Sequence, residues 1–322
     1  MSERLLPMGG ARKCYAQGMN DAGAGPAIAT AGLTKSYSGV DALSDLSLTV
    51  ERGSIYGFLG PNGAGKTTTI RLLMGFIEPT RGRAQMFGRD TWRDGVQARS
   101  HVGYLVQSEA LFPELSGEDQ LRFAEKLSGR GAPLQDRLLD VLELSRADLK
   151  RKLKTYSKGM RQKLALIAAA QHDPELLMLD EPTDGLDPLI QRAFESHLLD
   201  RHAAGRTIFM SSHDLGEVDR LCQTVAIVRA GRLVQEATIQ ALRSQHRRRA
   251  EVVLSTPLPP GVAIPGAEVL SAEGRMLKLL VDLDPNPLLG FLAELPVESI
   301  TIAPPSLSDI FAEYYVQESA RP

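Results

Sequence analysis

The sequence has 322 residues, of which 43% are hydrophobic, and a formal net charge of -2 at pH 7. This length predicts one large domain and a smaller one. The near-neutral, well-mixed charge argues against a dedicated nucleic-acid surface, which is usually basic. Only Cys14 and Cys222 are present, too few for a disulfide framework, which favours a reducing compartment. The longest apolar runs fall far short of the roughly 20 residues that a membrane-spanning helix needs.

The first part of the chain predicts a leader followed by strands. Residues 1–26 mix glycine, alanine and charged residues without the apolar core of a signal peptide, so we predict a disordered leader there. Strands are predicted at 28–37 and 46–50, with a turn at Ser38 and Gly39 between them, and a buried strand at 54–59 follows.

A glycine-rich stretch links that buried strand to a predicted helix at 68–76. It matches the phosphate-binding pattern G-x-x-x-x-G-K-[ST], and its residues are Gly60, Pro61, Asn62, Gly63, Ala64, Gly65, Lys66, Thr67 and Thr68. In this pattern backbone N–H groups surround the phosphates, the lysine reaches the β and γ groups, and the hydroxyl ligates Mg²⁺. The helix dipole also favours an anion. The stretch therefore predicts a nucleoside triphosphate site with Lys66 on the phosphates and Thr67 on the metal.

A helical insertion interrupts the strands in the middle of the chain. Short strands are predicted at 84–87 and 101–106, and Gln107 closes the second. The hydrophobic period then becomes helical over 115–170. Helices are predicted there at 118–128, capped by Ser116, and at 134–144 and 159–171. We therefore expect a helical subdomain at about residues 108–172.

Strand and helix alternate again after this insertion. The predicted elements are a strand at 176–181, a helix at 189–202, a strand at 207–211, a helix at 215–221 and a strand at 224–228. Such alternation indicates a parallel sheet covered on both faces. The unbroken apolar run of the first strand predicts a central position in that sheet.

A basic run, His246 followed by three arginines, marks a predicted boundary. It reads either as a solvated linker or as a cluster that touches anionic lipid. Beyond it, strands at 251–254, 268–271, 276–281 and 299–302 and helices at 287–295 and 307–316 predict a small α+β domain. The predicted division is a nucleotide-binding domain at 27–245 and an accessory domain at 246–322.

Three polar residues follow consecutive buried strands and complete the predicted site. Asp180 ends its strand where a P-loop enzyme places the carboxylate that holds Mg²⁺. Glu181 can accept a proton from an attacking water or orient it. His213 follows the next strand, and because the carboxyl ends of neighbouring parallel strands meet at one edge, it can reach the γ-phosphate.

At this point the chain resembles the ATP-binding subunit of an ABC transporter, over residues 28–234. The resemblance implies a P-loop NTPase core with a parallel sheet, an antiparallel β subdomain and a helical insertion, bound to ATP and Mg²⁺. It makes Tyr37 the aromatic that stacks on adenine; from the residues alone, an aromatic in the core is the alternative. It further implies a metal- and permease-sensing glutamine, a metal carboxylate, a catalytic base, a dimer-contact aspartate and a switch histidine. These are Gln107, Asp180, Glu181, Asp187 and His213.

The run from Tyr156 to Gln162 is similar to the family's signature, usually written Leu-Ser-Gly-Gly-Gln. Ser157 begins a predicted helix, and Gly159 leaves room for a phosphate at the helix N-terminus. Tyr156, Lys158 and Met160 depart from the usual form. The form Tyr-Ser-Lys-Gly-Met, together with the C-terminal domain, resembles the ABC-2 exporter branch. Lys158 either contacts the γ-phosphate or faces solvent.

By this resemblance the chain hydrolyses ATP for a separate membrane permease, on the cytoplasmic face of the membrane. Because one chain already holds a phosphate, the signature implies a second copy, with ATP between the phosphate loop of one and the signature of the other. No nucleic-acid partner is expected. The alternatives are an importer ATPase, a soluble ATPase of the same family acting on ribosomes or DNA, and a P-loop kinase. The kinase would need neither a signature nor a second subunit.

Overall fold

The computed structural model describes residues 25–105, 110–259 and 261–311. Residues 1–24 of the predicted leader lie outside these ranges, and so does Gln107. Within them, no helix is long and apolar enough to cross a membrane.

The described strands form three sheets, and the helices cover them. The strands are β1 (Ile28–Tyr37), β2 (Val40–Leu46), β3 (Thr49–Val50), β4 (Ile55–Leu59), β5 (Arg81–Met86), β6 (Arg89–Asp90), β7 (Val102–Tyr104), β8 (Leu176–Asp180), β9 (Thr207–Ser212), β10 (Thr224–Arg229), β11 (Arg232–Thr238), β12 (Arg248–Leu254), β13 (Ala267–Glu273), β14 (Met276–Val281) and β15 (Val297–Ala303). The helices are α1 (Lys66–Leu73), α2 (Gly95–Arg99), α3 (Gly117–Ser128), α4 (Gln135–Val141), α5 (Arg146–Leu149), α6 (Lys158–Ala170), α7 (Pro188–Ala203), α8 (Leu215–Leu221), α9 (Ile239–Ser244) and α10 (Asn286–Ala293).

The central sheet has the strand order β11-β10-β4-β9-β8-β7, and its strands run parallel except for the antiparallel edge strand β11. Alternate residues of one strand enter opposite cores: Leu177 and Leu179 pack with α6 and α7, whereas Leu176 and Met178 pack with α1. Burial on both faces explains the continuous apolar runs of β4 and β9. The predicted parallel sheet is confirmed, but β8 is an interior strand next to the edge strand β7 rather than the centre.

An antiparallel sheet of β1, β2, β3, β5 and β6 packs on the α1 side of the central sheet. The predicted turn is present: Ser38 and Gly39 both have positive φ, of 49° and 85°. Two such residues form the turn that joins right-twisted hairpin strands. The strand predicted at 46–50 is present only as the short β3, and β2 was missed: the turn leads directly into β2, which pairs with β1 from Val40 to Leu46.

The helical insertion is present as α3 to α6. Ser116 caps α3 as predicted, since its hydroxyl accepts a hydrogen bond from the backbone N–H of Asp119 at 3.1 Å. Leucines from α4, α5 and α6 join the core on the α7 side of the central sheet. The insertion is therefore packed onto the sheet that carries the phosphate loop.

A four-stranded antiparallel sheet, ordered β13-β14-β12-β15, follows α9 and packs against α10. The interpretation as a linker is wrong for Arg248 and Arg249, because β12 begins at Arg248 and pairs on both sides; residues 246 and 247 do lie between α9 and β12. Arg249 forms an ion pair with Asp309 at 2.6 Å. Helical residues 307–311 bring Leu307, Ile310 and Phe311 into the core that α7 and α8 share.

Candidate nucleotide site

The phosphate loop lies at the carboxyl end of β4 and is shaped by close backbone contacts. A Cβ on Gly60 would lie 2.4 Å from the Val228 carbonyl oxygen, and one on Gly65 would lie 2.8 Å from that of Ala42. Gly65 also has φ of 101° and caps α1 without any side-chain acceptor for the first N–H groups. The loop therefore requires glycine at these two positions, and the start of α1 presents N–H groups that suit an anion.

Lys66 is buried at 7% relative exposure and already has anionic and carbonyl partners. Its Nζ donates to the Gly60 carbonyl oxygen at 2.6 Å and forms an ion pair with Glu181 Oε1 at 3.0 Å. The ammonium is thus held at the mouth of the loop, where phosphate oxygens can replace or join the carboxylate. This contact also brings together the predicted phosphate lysine and the predicted catalytic base.

Thr67 and Asp180 meet as the predicted metal site requires. The Thr67 hydroxyl donates to Asp180 Oδ2 at 3.0 Å, and the Ser211 hydroxyl donates to Oδ1 at 2.5 Å. Hydroxyl and carboxylate oxygens suit Mg²⁺, which uses few protein ligands and completes its shell with water and phosphate oxygens. The described ranges contain no cluster of three or more His, Cys, Asp or Glu residues able to hold a metal. The oxygens present fit Mg²⁺, which would neutralise phosphate charge when bound.

Glu181 occupies an unusual backbone conformation next to this pair. Its φ is 50°, in the left-handed region that residues other than glycine rarely adopt. Its side chain lies between the Lys66 ammonium and the His213 ring: Oε1 contacts Lys66, and Oε2 lies 2.6 Å from His213 Nδ1. Backbone strain of this kind is concentrated at functional sites. The carboxylate is therefore placed to act on a water at the γ-phosphate, with His213 oriented against it.

Tyr37 lies at the end of β1 and is 47% exposed, with the Lys35 ammonium 5.2 Å from its ring centroid. The interpretation of Tyr37 as a core aromatic is wrong, because half of its surface is accessible. An exposed ring face is available for stacking on a base.

The signature residues begin α6. Ser157 is exposed, and its hydroxyl accepts a hydrogen bond from the Met160 N–H at 3.2 Å. The departure at Tyr156 has a structural explanation: the ring is buried, and its hydroxyl donates to the Asp148 carbonyl oxygen at 2.7 Å. Burial raises the pKa of Tyr156 to about 12, so this hydroxyl keeps its proton. Tyr156 thereby fastens the start of the signature helix to α5.

A turn after Glu181 packs against the signature. Lys158 Nζ donates to Asp184 Oδ2 at 2.7 Å, and a Cβ on Gly159 would lie 3.0 Å from the Gly185 carbonyl oxygen. Asp187 ends the turn by accepting from the Ile190 N–H at 3.1 Å and capping α7. Lys158 is exposed in this structure and engages a carboxylate, so simple projection into solvent does not describe it.

Two groups of predicted residues are therefore assembled, one around Lys66 and one around Ser157. Sequence reasoning missed Ser211, which binds Asp180, and Asp184, which binds Lys158. It also missed Glu217, a buried carboxyl in the first turn of α8. Ser211 carried a usable signal, because it lies near the carboxyl end of the strand next to β8 and is registered opposite Asp180.

Comparison with known proteins agrees with this geometry. The family model for the ABC transporter matches residues 43–184. The bacitracin transport ATP-binding protein BcrA of Bacillus licheniformis is 36% identical over 233 residues, which cover 71% of this chain and 75% of that protein. The chain belongs to the ABC transporter family.

Two further similarities describe this ABC transporter ATP-binding subunit. The daunorubicin resistance ATP-binding protein DrrA3 of Streptomyces coeruleorubidus is 34% identical over 300 residues, covering 88% of this chain and 94% of that protein. A solved ATP-binding subunit of an ABC transporter aligns with a TM-score of 0.63 and 31% identity, covering 68% of this chain and 92% of that one. The subunit is an ATPase with the ABC ATPase fold.

Proposed function

We propose that this subunit powers an ABC-2 type exporter of drugs, antibiotics or lipid-like compounds. The observation that carries the proposal is the similarity to DrrA3, which spans 88% of the chain and so extends beyond the ATPase core into the C-terminal α+β residues. That relative is named for drug resistance, and BcrA for bacitracin transport. An importer with the same ATPase core is the alternative, and the Tyr-Ser-Lys-Gly-Met signature favours export over it.

ATP with Mg²⁺ is proposed to bind between two copies of the chain. Lys66, Thr67 and Asp180 hold the phosphates and the metal in one copy, and Ser157 of the other completes the site. Two exposed features beside the signature support a contact between copies: Asp187 and Leu189, the latter 71% exposed at the start of α7. A leucine this exposed at a helix N-terminus gains from burial against another protomer.

The shared site can be tested by mixing two inactive variants. Lys66→Ala damages the phosphate loop, and Ser157→Arg damages the signature. In a mixed dimer one of the two sites combines an intact loop with an intact signature, so we expect ATP hydrolysis in the mixture that neither variant shows alone. The measurement is phosphate release from co-refolded or co-expressed chains. A mixture as inactive as its components would contradict a site built from two copies.

A permease is proposed to dock on exposed aromatic residues of the helical insertion. Phe112 and Phe123 are 50% and 46% exposed and pack edge to face at 5.6 Å. Outside the insertion, the exposed Phe76 and the half-buried Tyr104 form a second edge-to-face pair at 5.5 Å, and Tyr104 ends β7. Exposed aromatics of this kind are typical anchors of protein interfaces. Docking there would hold the subunit on the cytoplasmic face of the membrane.

Co-purification with a permease tests this surface. We expect the native chain, expressed with the membrane protein encoded beside it, to carry a polytopic protein through detergent extraction. The double variant Phe112→Ser and Phe123→Ser should lose that protein while keeping ATPase activity. Leu283→Ser is the control, because Leu283 is 64% exposed in the C-terminal domain. Recovery of ribosomes or nucleic acid instead would favour the soluble ATPase, and unchanged recovery with the double variant would exclude this docking surface.

A further inference from the structure

A buried carboxyl lies directly behind the switch histidine. Glu217 is 2% exposed in the first turn of α8, and its Oε2 accepts a hydrogen bond from the Ser212 hydroxyl at 2.7 Å. Ser212 is the residue immediately before His213. Glu217 Oε1 has no partner within hydrogen-bond distance, although the Thr183 hydroxyl is near enough to favour the charged carboxylate. Glu217 therefore lies between the switch loop and the turn that carries Asp184.

The Ser212 hydroxyl makes two hydrogen bonds next to His213. It donates to Glu217 and accepts from the Asp214 N–H at 3.0 Å. Asp214 in turn caps α8 by accepting from the Glu217 N–H at 3.3 Å. A hydroxyl has a single proton, so when Ser212 donates to Glu217 it can only accept in its other hydrogen bonds. The carboxyl thereby influences where the switch loop lies without touching the nucleotide site.

Burial, together with neighbouring carboxylates, brings Glu217 close to titration at neutral pH. Burial is the largest cause and acts with Glu195 and Asp214 against the Ser212 and Thr183 hydroxyls, which lower the pKa; the pKa is raised to about 7. Arg220 lies beside them but is engaged by Glu195 through two hydrogen bonds, at 2.6 and 3.0 Å. Cys222 is buried nearby, and its own pKa is raised by burial and by Glu217. Glu217 thus has carboxylate neighbours and no ion-pair partner within 4 Å among the described residues.

We propose that Glu217 is a positioning residue for ATP hydrolysis, whose carboxylate accepts the hydrogen bond from Ser212 and so holds His213 against Glu181. A charged carboxylate accepts this hydrogen bond more strongly than a neutral carboxyl does. When Glu217 is neutral, the hydrogen bond from Ser212 is therefore weaker and the switch loop is held less firmly. The inference rests on the roles of Glu181 and His213 in hydrolysis that the proposed function assigns.

The test is the pH dependence of ATP hydrolysis in the native chain and in Glu217→Gln. Glutamine resembles the neutral acid at every pH. Since the native carboxyl becomes neutral as the pH falls through about 7, the kcat ratio of native to variant should be near one at pH 5.5 and rise to about fivefold at pH 8.5, the effect of one hydrogen bond. KM for ATP should not change. Taking the ratio removes every titration that the two proteins share.

Ser212→Ala supplies a second variant, which removes the hydroxyl that donates to Glu217. We expect it to lower kcat at pH 8.5 as Glu217→Gln does, and the double variant to be no worse than either alone. A ratio independent of pH, an effect on KM rather than kcat, or additive losses would overturn the inference. His213→Ala tests the proposed function separately. If this variant keeps full activity, the role of His213 in hydrolysis is wrong. If it loses activity while Glu217→Gln does not, only the positioning role of Glu217 is wrong.

Discussion

Glu181→Gln is expected to lower kcat for ATP hydrolysis by roughly 10²- to 10⁴-fold, the usual contribution of a general base. Glutamine keeps the shape of the side chain and its contact with Lys66 but cannot take a proton from water. The nucleotide should therefore still bind, and ATP should hold two copies together. Size-exclusion chromatography with light scattering would show a dimer with ATP and a monomer with ADP.

The matched control is Glu175→Gln, which changes a carboxylate just before the start of β8, where it pairs with His101 at 2.6 Å rather than with the nucleotide site. It should hydrolyse ATP normally. Normal hydrolysis by Glu181→Gln would show that another group activates the water. If Glu181→Gln does not hydrolyse ATP and also stays monomeric with ATP, the result would argue against ATP-driven dimer closure.

Lys66→Ala should weaken ATP binding by roughly 10- to 100-fold, as expected for loss of charge-assisted hydrogen bonds to phosphate. The variant also leaves Glu181 without the ammonium that lies 3.0 Å away. Hydrolysis should then fall below detection at ordinary ATP concentrations. Equilibrium binding of a fluorescent ATP analogue with Mg²⁺ measures the first effect, and phosphate release measures the second.

Lys126→Ala is the appropriate comparison, because Lys126 is exposed on α3 and remains a simple change of surface charge. It should bind ATP as the native chain does. Tight Mg-ATP binding by Lys66→Ala would remove the assignment of the phosphate loop on which the other site residues depend.

The parallel sheet could be predicted from the sequence because its strands are buried on both faces and read as continuous apolar runs, as in β4 and β8. The edge strand β11 could not. It alternates exposed and half-buried residues, and it is a strand because it pairs along β10. β2 is likewise a strand because of its partner, since it pairs with β1 across the hairpin turn at Ser38 and Gly39.

In the site, too, the features set by neighbouring residues could be predicted, and the contacts between distant residues could not. The phosphate loop and the carboxylates at the end of β8 are contiguous motifs, and their chemistry follows from residue type and spacing. The contacts of Lys66 with Glu181 and of Ser211 with Asp180 join residues far apart in the chain. They depend on the strand order β4-β9-β8, which no single segment specifies. The roles assigned to these residues stay predictions until the variants are measured.

The return of the chain at residues 307–311 has a practical consequence for shortened versions of the protein. Leu307, Ile310 and Phe311 fill part of the core beside α8, and burial of each side chain contributes about 1.5–3 kcal/mol. Truncating the protein after residue 245 to isolate the ATPase would expose the apolar surface that these three side chains cover. Expression of this fragment should yield aggregates unless polar residues are substituted into the exposed apolar surface.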